Sequence, residues 1–313
     1  MDIYNIFPFQ AEKKKRAIAL GFFDGVHLGH QQLLKQLLTI SKQKAISPAI
    51  FTFQNHPKTL LQNSDKFEGL IQSLEMRLEK LQTFNVEEAF VVQMDEKFRH
   101  ISAEDFYFHI LCETLQIEAL IVGQDTHFGY LGKGDIEKLK KWTNETNVEL
   151  YVMPDMKIDG IKVSSTYIRQ LLKEGNIHLT NRCLGSNYQI NGKVIHGKKL
   201  GRTLGFPTIN LTYDENLISP KYGVYMTRVI LNNKKYPAIT SIGTNPTVEE
   251  INRNVKVETY IYDQSFDLYD EIVNIEFIDF IRPEYKFPTV EEMTKRVLID
   301  LDLVKERHEN NHY

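Results

Sequence analysis

The sequence has few of the features that mark secreted, membrane-spanning or nucleic-acid-binding proteins. It has two cysteines in 313 residues, Cys112 and Cys183, so it has no CxxC pair, disulfide framework or zinc-ligand spacing. No stretch approaches the ~20 apolar residues that span a bilayer, and basic residues at 13–16 precede any apolar run, unlike a signal peptide. Basic and acidic residues nearly balance, at 38 and 41, which argues against a nucleic-acid partner. We expect a folded cytoplasmic protein with no membrane association.

Two common phosphate-binding motifs are also missing. The chain has no Walker P-loop, and Gly129, Gly132 and Gly134 do not fit G-x-G-x-x-G. Any nucleotide site must therefore be built on a different motif.

The first half alternates short apolar runs with longer segments of helical spacing. The apolar runs at 17–23, 48–53, 88–94, 119–123 and 149–153 predict buried strands, and helices are predicted after residue 30 and over 74–84 and 103–115. This alternation predicts an α/β doubly wound parallel sheet. Ligands of such sheets bind outside the carboxyl ends of the strands, so the loops after the strands are the candidate sites.

The second half has a different pattern. Short strands are predicted over 188–195, 224–231, 236–242, 257–262 and 272–280, which is typical of a small antiparallel β-barrel. A C-terminal helix follows, with Thr289 and Glu292 as a capping box and an apolar stripe at Val290, Met293, Val297, Leu301 and Val304. The predicted domains are 1–182 and 183–313.

The loop after the first strand carries a first candidate site, His27-Leu28-Gly29-His30. A strand–loop–helix junction directs backbone N–H groups at an anion, so this loop is predicted to bind phosphate, with Phe23, Asp24 and Gly25 in it. His27 and His30, three residues apart, could donate hydrogen bonds to phosphate oxygens that gain charge in a transition state. Taken singly, each would be an ordinary surface or core histidine.

The segment resembles the HxGH signature of the nucleotidyltransferase superfamily. Residues 163–169, VSSTYIR, resemble the second motif of that superfamily, which implies that Ser164, Ser165, Thr166 and Arg169 bind the phosphates of ATP. Read alone, the hydroxyl residues would be a helix N-cap. Residues 122–135 resemble a loop of bacterial FAD synthetases, which implies that Asp125 contacts the nucleotide; read alone, Asp125 is an ordinary turn residue.

A second candidate site lies at residues 201–210, GRTLGFPTIN. Thr208 and Asn210 are two residues apart in an extended segment, so both side chains point the same way and their oxygens could share a Mg²⁺ ion. The segment is similar to the GxPTAN signature of riboflavin kinases. This resemblance implies that Gly201 and Gly205 lie over ATP, that Glu258 is the general base and that Arg282 contacts the flavin. By pattern alone, Glu258 is a solvated strand carboxylate.

Together the motifs resemble the bifunctional riboflavin kinase/FAD synthetase of bacteria over nearly the whole chain. The resemblance implies two reactions: ATP- and Mg²⁺-dependent phosphorylation of riboflavin to FMN in the C-terminal half, and adenylylation of FMN to FAD in the N-terminal half. Phe22, Asn55, Thr126 and His127 depart from the family pattern. The alternatives are a kinase with a weak or inactive N-terminal half, a nucleotidyltransferase for another substrate, and a non-catalytic flavin-binding regulator. The pattern defines no oligomeric state.

Overall fold

The computed structural model describes residues 1–55, 67–197, 201, 204–244, 255–264 and 266–310. The chain divides into two compact units, Met1–Ser165 and Thr166–Tyr313. The boundary predicted between residues 182 and 183 falls inside helix α7 (Ile177–Leu184). The limits of the two functional domains stay a prediction.

A six-stranded parallel sheet forms the centre of the first unit, which confirms the predicted fold class. Its strands are β1 (Asp2–Tyr4), β2 (Arg16–Leu20), β3 (Ser47–Phe53), β4 (Glu88–Val92), β5 (Ile117–Gly123) and β6 (Glu149–Met153). Alternate residues of β2 belong to different core clusters: Ile18 packs in one, and Ala17 and Ala19 in the other. The strands are therefore buried on both faces, which explains their continuous apolar runs.

Helices connect these strands. They are α1 (Leu28–Lys44), α2 (Leu74–Gln82), α3 (Glu96–Arg99), α4 (Ala103–Asp105), a π-helix at Phe106–Thr114 and α5 (Ile136–Thr146). The helix predicted over 103–115 is thus α-helical only in its first turn. A short hairpin, β7 (Lys157–Ile158) and β8 (Ile161–Lys162), precedes the second unit.

The strand order of the sheet is β1-β4-β3-β2-β5-β6. The order reverses between β2 and β5, which pair in parallel. Loops that leave adjacent strands in opposite directions open a crevice at the carboxyl edge. The HxGH loop follows β2 and Asp125 follows β5, so the topology places both at this crevice.

The second unit is a closed six-stranded barrel with helices. Helices α6 (Ser165–Glu174) and α7 lead into the barrel, and a C-terminal helix (Val290–Asn310) follows it. The barrel strands are β9 (Tyr188–Ile195), β10 (Thr208–Leu211), β11 (Gly223–Leu231), β12 (Lys234–Thr244), β13 (Val255–Ile261) and β14 (Ile272–Pro283). Each is antiparallel to its neighbours, and the barrel closes in the order β10-β13-β12-β11-β14-β9. The barrel is as predicted except for β10, which the sequence pattern placed outside it.

The threonine hydroxyls of three strands form a line inside the barrel. Thr240 Oγ1 lies 2.8 Å from Thr227 Oγ1 and 2.9 Å from Thr259 Oγ1, and all three residues are fully buried. The buried hydroxyls therefore satisfy one another. Thr289 caps the C-terminal helix as predicted, because Glu292 N–H donates to Thr289 Oγ1 over 3.2 Å, which is the first of the two bonds of a capping box. Across the ranges described, no helix is long and apolar enough to cross a membrane.

Candidate active sites

The Asp24 side chain anchors the loop between β2 and α1 to the segment before α2. The buried Asp24 carboxylate accepts hydrogen bonds from the backbone N–H groups of Ile71 (2.9 Å) and Gln72 (3.2 Å). Phe23, at a left-handed φ of 57°, turns the chain, and its ring is fully buried. The side chains of Phe23 and Asp24 therefore shape the loop. Any contact of residues 23–25 with phosphate would have to come from their backbone.

His27 and His30 stack face to face above this loop. Their ring centroids lie 3.7 Å apart at an interplanar angle of 18°. A Cβ atom on Gly29 would lie 3.1 Å from His27 Cε1, so glycine leaves the stack the room it needs. His27 is the N-cap of α1, and its Nδ1 accepts the backbone N–H of His30 over 3.4 Å. This bond places the proton of a neutral His27 ring on Nε2.

Both imidazoles are neutral at physiological pH. Burial lowers the pKa of His27 to about 4, with a smaller contribution from the positive charge of Lys80. Burial also lowers the pKa of His30 well below its ordinary value, helped by the neighbouring His27 and Arg77. A neutral imidazole has one N–H donor. Within the described ranges His30 Nδ1 is buried without a hydrogen-bond partner, as expected of a group that meets a ligand.

The histidines face a cavity of about 390 Å³ at the carboxyl edge of the sheet. The predicted residues that line it with them are Asp125, Ser164 and Ser165. Ser165 Oγ also donates to the carbonyl of Asp24 over 3.0 Å, which ties Ser165 to the HxGH loop. Thr166 and Arg169 belong to the second unit, so their part in a phosphate clamp stays a prediction.

Sequence reasoning missed a lysine at the edge of this cavity. Lys162 Nζ lies 2.8 Å from a carboxylate oxygen of Asp125 and 2.8 Å from one of Asp155. These hydrogen bonds raise the pKa of Lys162, and Lys162 lowers that of Asp155. All three residues line the cavity. Lys162 is in the hairpin just before the VSST motif, a position that no sequence pattern marked.

The departures from the family pattern have structural explanations at two positions. The guanidinium of the buried Arg77 lies 4.6 Å from the centroid of the Phe22 ring and donates to the Phe22 carbonyl over 2.6 Å. The Asn55 amide oxygen accepts the backbone N–H of Met94 over 2.8 Å, and its Nδ2 donates to the Met94 carbonyl over 3.1 Å. These two hydrogen bonds connect the segments that follow β3 and β4. Phe22 lines the cavity, as do Thr126 and His127.

A second cavity, of about 310 Å³, lies on the outer surface of the barrel. Val257, Thr259 and Ile261 of β13 are buried, so the alternate residue Glu258 faces outwards. Asn210 of β10 is its direct cross-strand partner, and Thr208, two residues away, shares that face. The C-terminal helix forms the opposite wall through Met293, Val297, Asp300 and Leu301.

The glycines near this cavity allow its side chains to come close. A Cβ atom on Gly197 would lie 2.6 Å from Asn210 Cγ, so any larger residue here would require the amide to move. Gly205 has a φ of 90°, in the left-handed region that favours glycine. Gly201 lines the cavity, and its carbonyl accepts the N–H of Phe206 over 2.9 Å. A hydroxyl and an amide oxygen on one strand face suit a hard cation such as Mg²⁺.

Arg282 is fixed in the wall of the barrel cavity. Its Nε donates to Asp300 of the C-terminal helix over 2.7 Å, and both residues are buried. Arg296 reaches the other Asp300 oxygen at 3.0 Å. The Arg282 guanidinium also lies 5.1 Å from the centroid of the Tyr285 ring. Arg282 thus lines the cavity with its charge balanced by Asp300, and its contact with the flavin stays a prediction.

Known proteins match both halves of the chain. Residues 9–167 match the FAD synthetase family model, and residues 184–308 match the riboflavin kinase model. The bifunctional riboflavin kinase/FMN adenylyltransferase of Listeria monocytogenes is 36% identical over 276 residues, 88% of this chain and 87% of the relative. The protein of that name from Bacillus subtilis is 34% identical, covering 91% and 90%, and that from Escherichia coli K12 is 32% identical, covering 93% and 92%.

A solved structure has the same fold over the whole chain. It is titled a macrolide-efflux protein from Streptococcus pneumoniae, and it superposes with a TM-score of 0.88 at 28% identity over 97% of this chain and 99% of that one. The two family models, the order in which they occur and the relatives that cover both halves agree. The chain belongs to the family of bifunctional riboflavin kinase/FMN adenylyltransferases, with the FAD synthetase domain N-terminal and the riboflavin kinase domain C-terminal.

Proposed function

We propose that riboflavin is phosphorylated at the barrel cavity and that FMN is adenylylated at the cavity of the HxGH loop. One observation carries this division. Glu258 is far in the sequence from Thr208 and Asn210, yet strand pairing brings all three to one cavity. The histidine pair lies at the other cavity with Ser164 and Ser165. Each cavity thus has the groups that one phosphoryl or nucleotidyl transfer requires.

In the kinase reaction, Glu258 is the general base. Its carboxylate takes the proton of the riboflavin 5′-hydroxyl as that oxygen forms a bond to the γ-phosphorus of ATP and the bond to ADP breaks. Thr208 Oγ1 and Asn210 Oδ1 are the groups that would hold Mg²⁺, which neutralises phosphate charge when bound. Arg282 lies on the flavin side, and Gly201 and Gly205 let the loop approach the nucleotide.

In the adenylyl transfer, a phosphate oxygen of FMN attacks the α-phosphorus of ATP and pyrophosphate leaves. No covalent intermediate with the protein is required. His27 and His30 donate N–H hydrogen bonds to the oxygens that gain charge. Each neutral ring has one N–H donor and keeps its proton while it donates. Ser164, Ser165 and Asp125 position the nucleotide.

Product analysis with variants of each site tests this division. The wild-type protein, given riboflavin, ATP and Mg²⁺, should form FMN and then FAD, as seen by chromatography. Glu258→Gln should abolish most FMN formation but leave FAD formation from supplied FMN intact. His27→Ala or His30→Ala should reduce FAD formation by about 10²- to 10³-fold and spare FMN formation. Loss of both reactions in one well-folded variant would contradict two separate sites.

A further inference from the structure

We propose that Lys256 is a positioning residue of the kinase site, which holds the Glu258 carboxylate in the orientation that accepts the substrate proton. This inference rests on the proposed role of Glu258. Lys256 and Glu258 are two residues apart in β13, so their side chains leave the same face of the strand. Lys256 Nζ lies 2.8 Å from Glu258 Oε1, and both residues line the barrel cavity.

Strand pairing fixes the surroundings of this lysine. Across β13, Glu258 is paired with Ser241 and Lys256 with Gly243 of β12. The Glu284 side chain lies over Gly243, because a Cβ atom there would lie 2.8 Å from Glu284 Cδ. Burial raises the pKa of Glu284, and the positive charge of Lys256 opposes this effect. Lys256 is therefore near two cavity carboxylates, of which it contacts Glu258.

The geometry explains why Glu258 needs such a partner. The Glu258 side chain is 35% exposed, so its terminal torsion is not fixed by packing. The ion pair engages Oε1 and leaves Oε2 as the oxygen that meets the 5′-hydroxyl. The alignment of a general base strongly affects the reaction rate, because a misplacement of about 1 Å lowers the rate by up to ~10²-fold.

The contribution of this ion pair to stability is small. Partly exposed ion pairs contribute about 0–1 kcal/mol to folding. Loss of Lys256 should therefore change catalysis without unfolding the barrel, and activity can be measured on folded protein.

The first test is the steady-state kinetics of Lys256→Met. We expect kcat for FMN formation to fall by about 10- to 100-fold with little change in the KM for riboflavin or ATP. Lys256→Arg should recover most of the rate. The matched control is Lys193→Met, which removes an exposed 2.7 Å ion pair with Asp270 on the barrel but no cavity group. It should have wild-type kinetics.

The second test combines Lys256→Met with Glu258→Gln. Because Lys256 acts through Glu258, the double variant should be no slower than Glu258→Gln alone, within about twofold. Additive losses, or a raised KM for ATP at unchanged kcat in Lys256→Met, would show a direct phosphate contact and overturn the proposal. A wild-type rate for Glu258→Gln would refute the base itself, whereas a wild-type rate for Lys256→Met alone would refute only the positioning role.

Discussion

Replacing Gly197 with alanine should disable the kinase site by moving Asn210. An added Cβ would lie 2.6 Å from Asn210 Cγ and 2.7 Å from its Oδ1, closer than non-bonded carbon atoms approach. The amide must therefore move by about 1 Å to restore ordinary contact. Mg²⁺ tolerates little variation in its metal–oxygen distances of about 2.0–2.1 Å, so a shift of this size would break the proposed coordination by Asn210.

The expected loss is about 10²-fold in kcat/KM for FMN formation, with a higher requirement for Mg²⁺. FAD formation from supplied FMN should not change, because the residues of that cavity belong to the first unit. Both rates can be measured by chromatography on one preparation, with the Mg²⁺ concentration varied for the kinase reaction.

Two control experiments accompany this prediction. Asn210→Ala should reproduce the loss, and the double variant should be no worse than either single variant, since both act through one group. Thermal unfolding of Gly197→Ala should show an intact barrel. Wild-type kinase kinetics in a folded Gly197→Ala protein would refute Asn210 as a metal ligand.

Three further predictions concern the stability of the fold. Arg16→Met removes the closest partner of the fully buried Glu88 carboxylate, at 2.8 Å, and leaves it with the ion pair to Lys14 and the hydrogen bond from Ser47, so it should cost up to about 3–5 kcal/mol in urea unfolding. Lys15→Met removes an exposed ion pair and should cost at most about 1 kcal/mol. Burial lowers the pKa of His27 from 6.5 to about 4, so as the pH falls the unfolded chain binds the proton at a higher pH than the folded chain does. The free energy of unfolding should therefore have its full value above about pH 6.5 and decrease towards pH 4. The decrease should be smaller in His27→Gln. Thr240→Val removes the middle hydroxyl of the barrel line and should cost about 1–3 kcal/mol, whereas no change would mean the line contributes nothing.

The hydrophobic pattern of the sequence was sufficient to predict the strands that have long buried runs. The β3 and β5 strands are seven residues long and mostly apolar because the sheet is buried on both faces, and such runs predict strands directly. β1 and β10 have three and four residues, too few to establish a period of two. β10 also follows Gly205 and Pro207, which indicate a turn. Only pairing with β13 and β9 makes this segment a barrel strand.

The candidate sites were predictable as loops but not as networks of contacts. The HxGH and GFPTIN segments could be identified as candidates because their glycines and polar residues stand out locally. Arg77 and Lys162 have no such local signal. Arg77 contacts Phe22, 55 residues away in sequence, and Lys162 contacts Asp125, 37 residues away. Such pairings are set by strand order, which a single sequence does not specify.

The motif residues of the first site therefore fall into two groups with different physical roles. His27 and His30 face the cavity, whereas the Asp24 carboxylate is buried and bonds the backbone before α2. An unpaired aspartate in a phosphate-binding loop would repel its ligand if it faced the cavity, since two negative charges at close range oppose binding. Asp125 does face the cavity, but it is paired with Lys162. Turned inwards, the Asp24 carboxylate fixes the loop whose N–H groups we propose as the phosphate-binding groups. The sequence motif thus predicts which residues belong to a site, while the structure shows which of them hold the loop in place and which face the cavity.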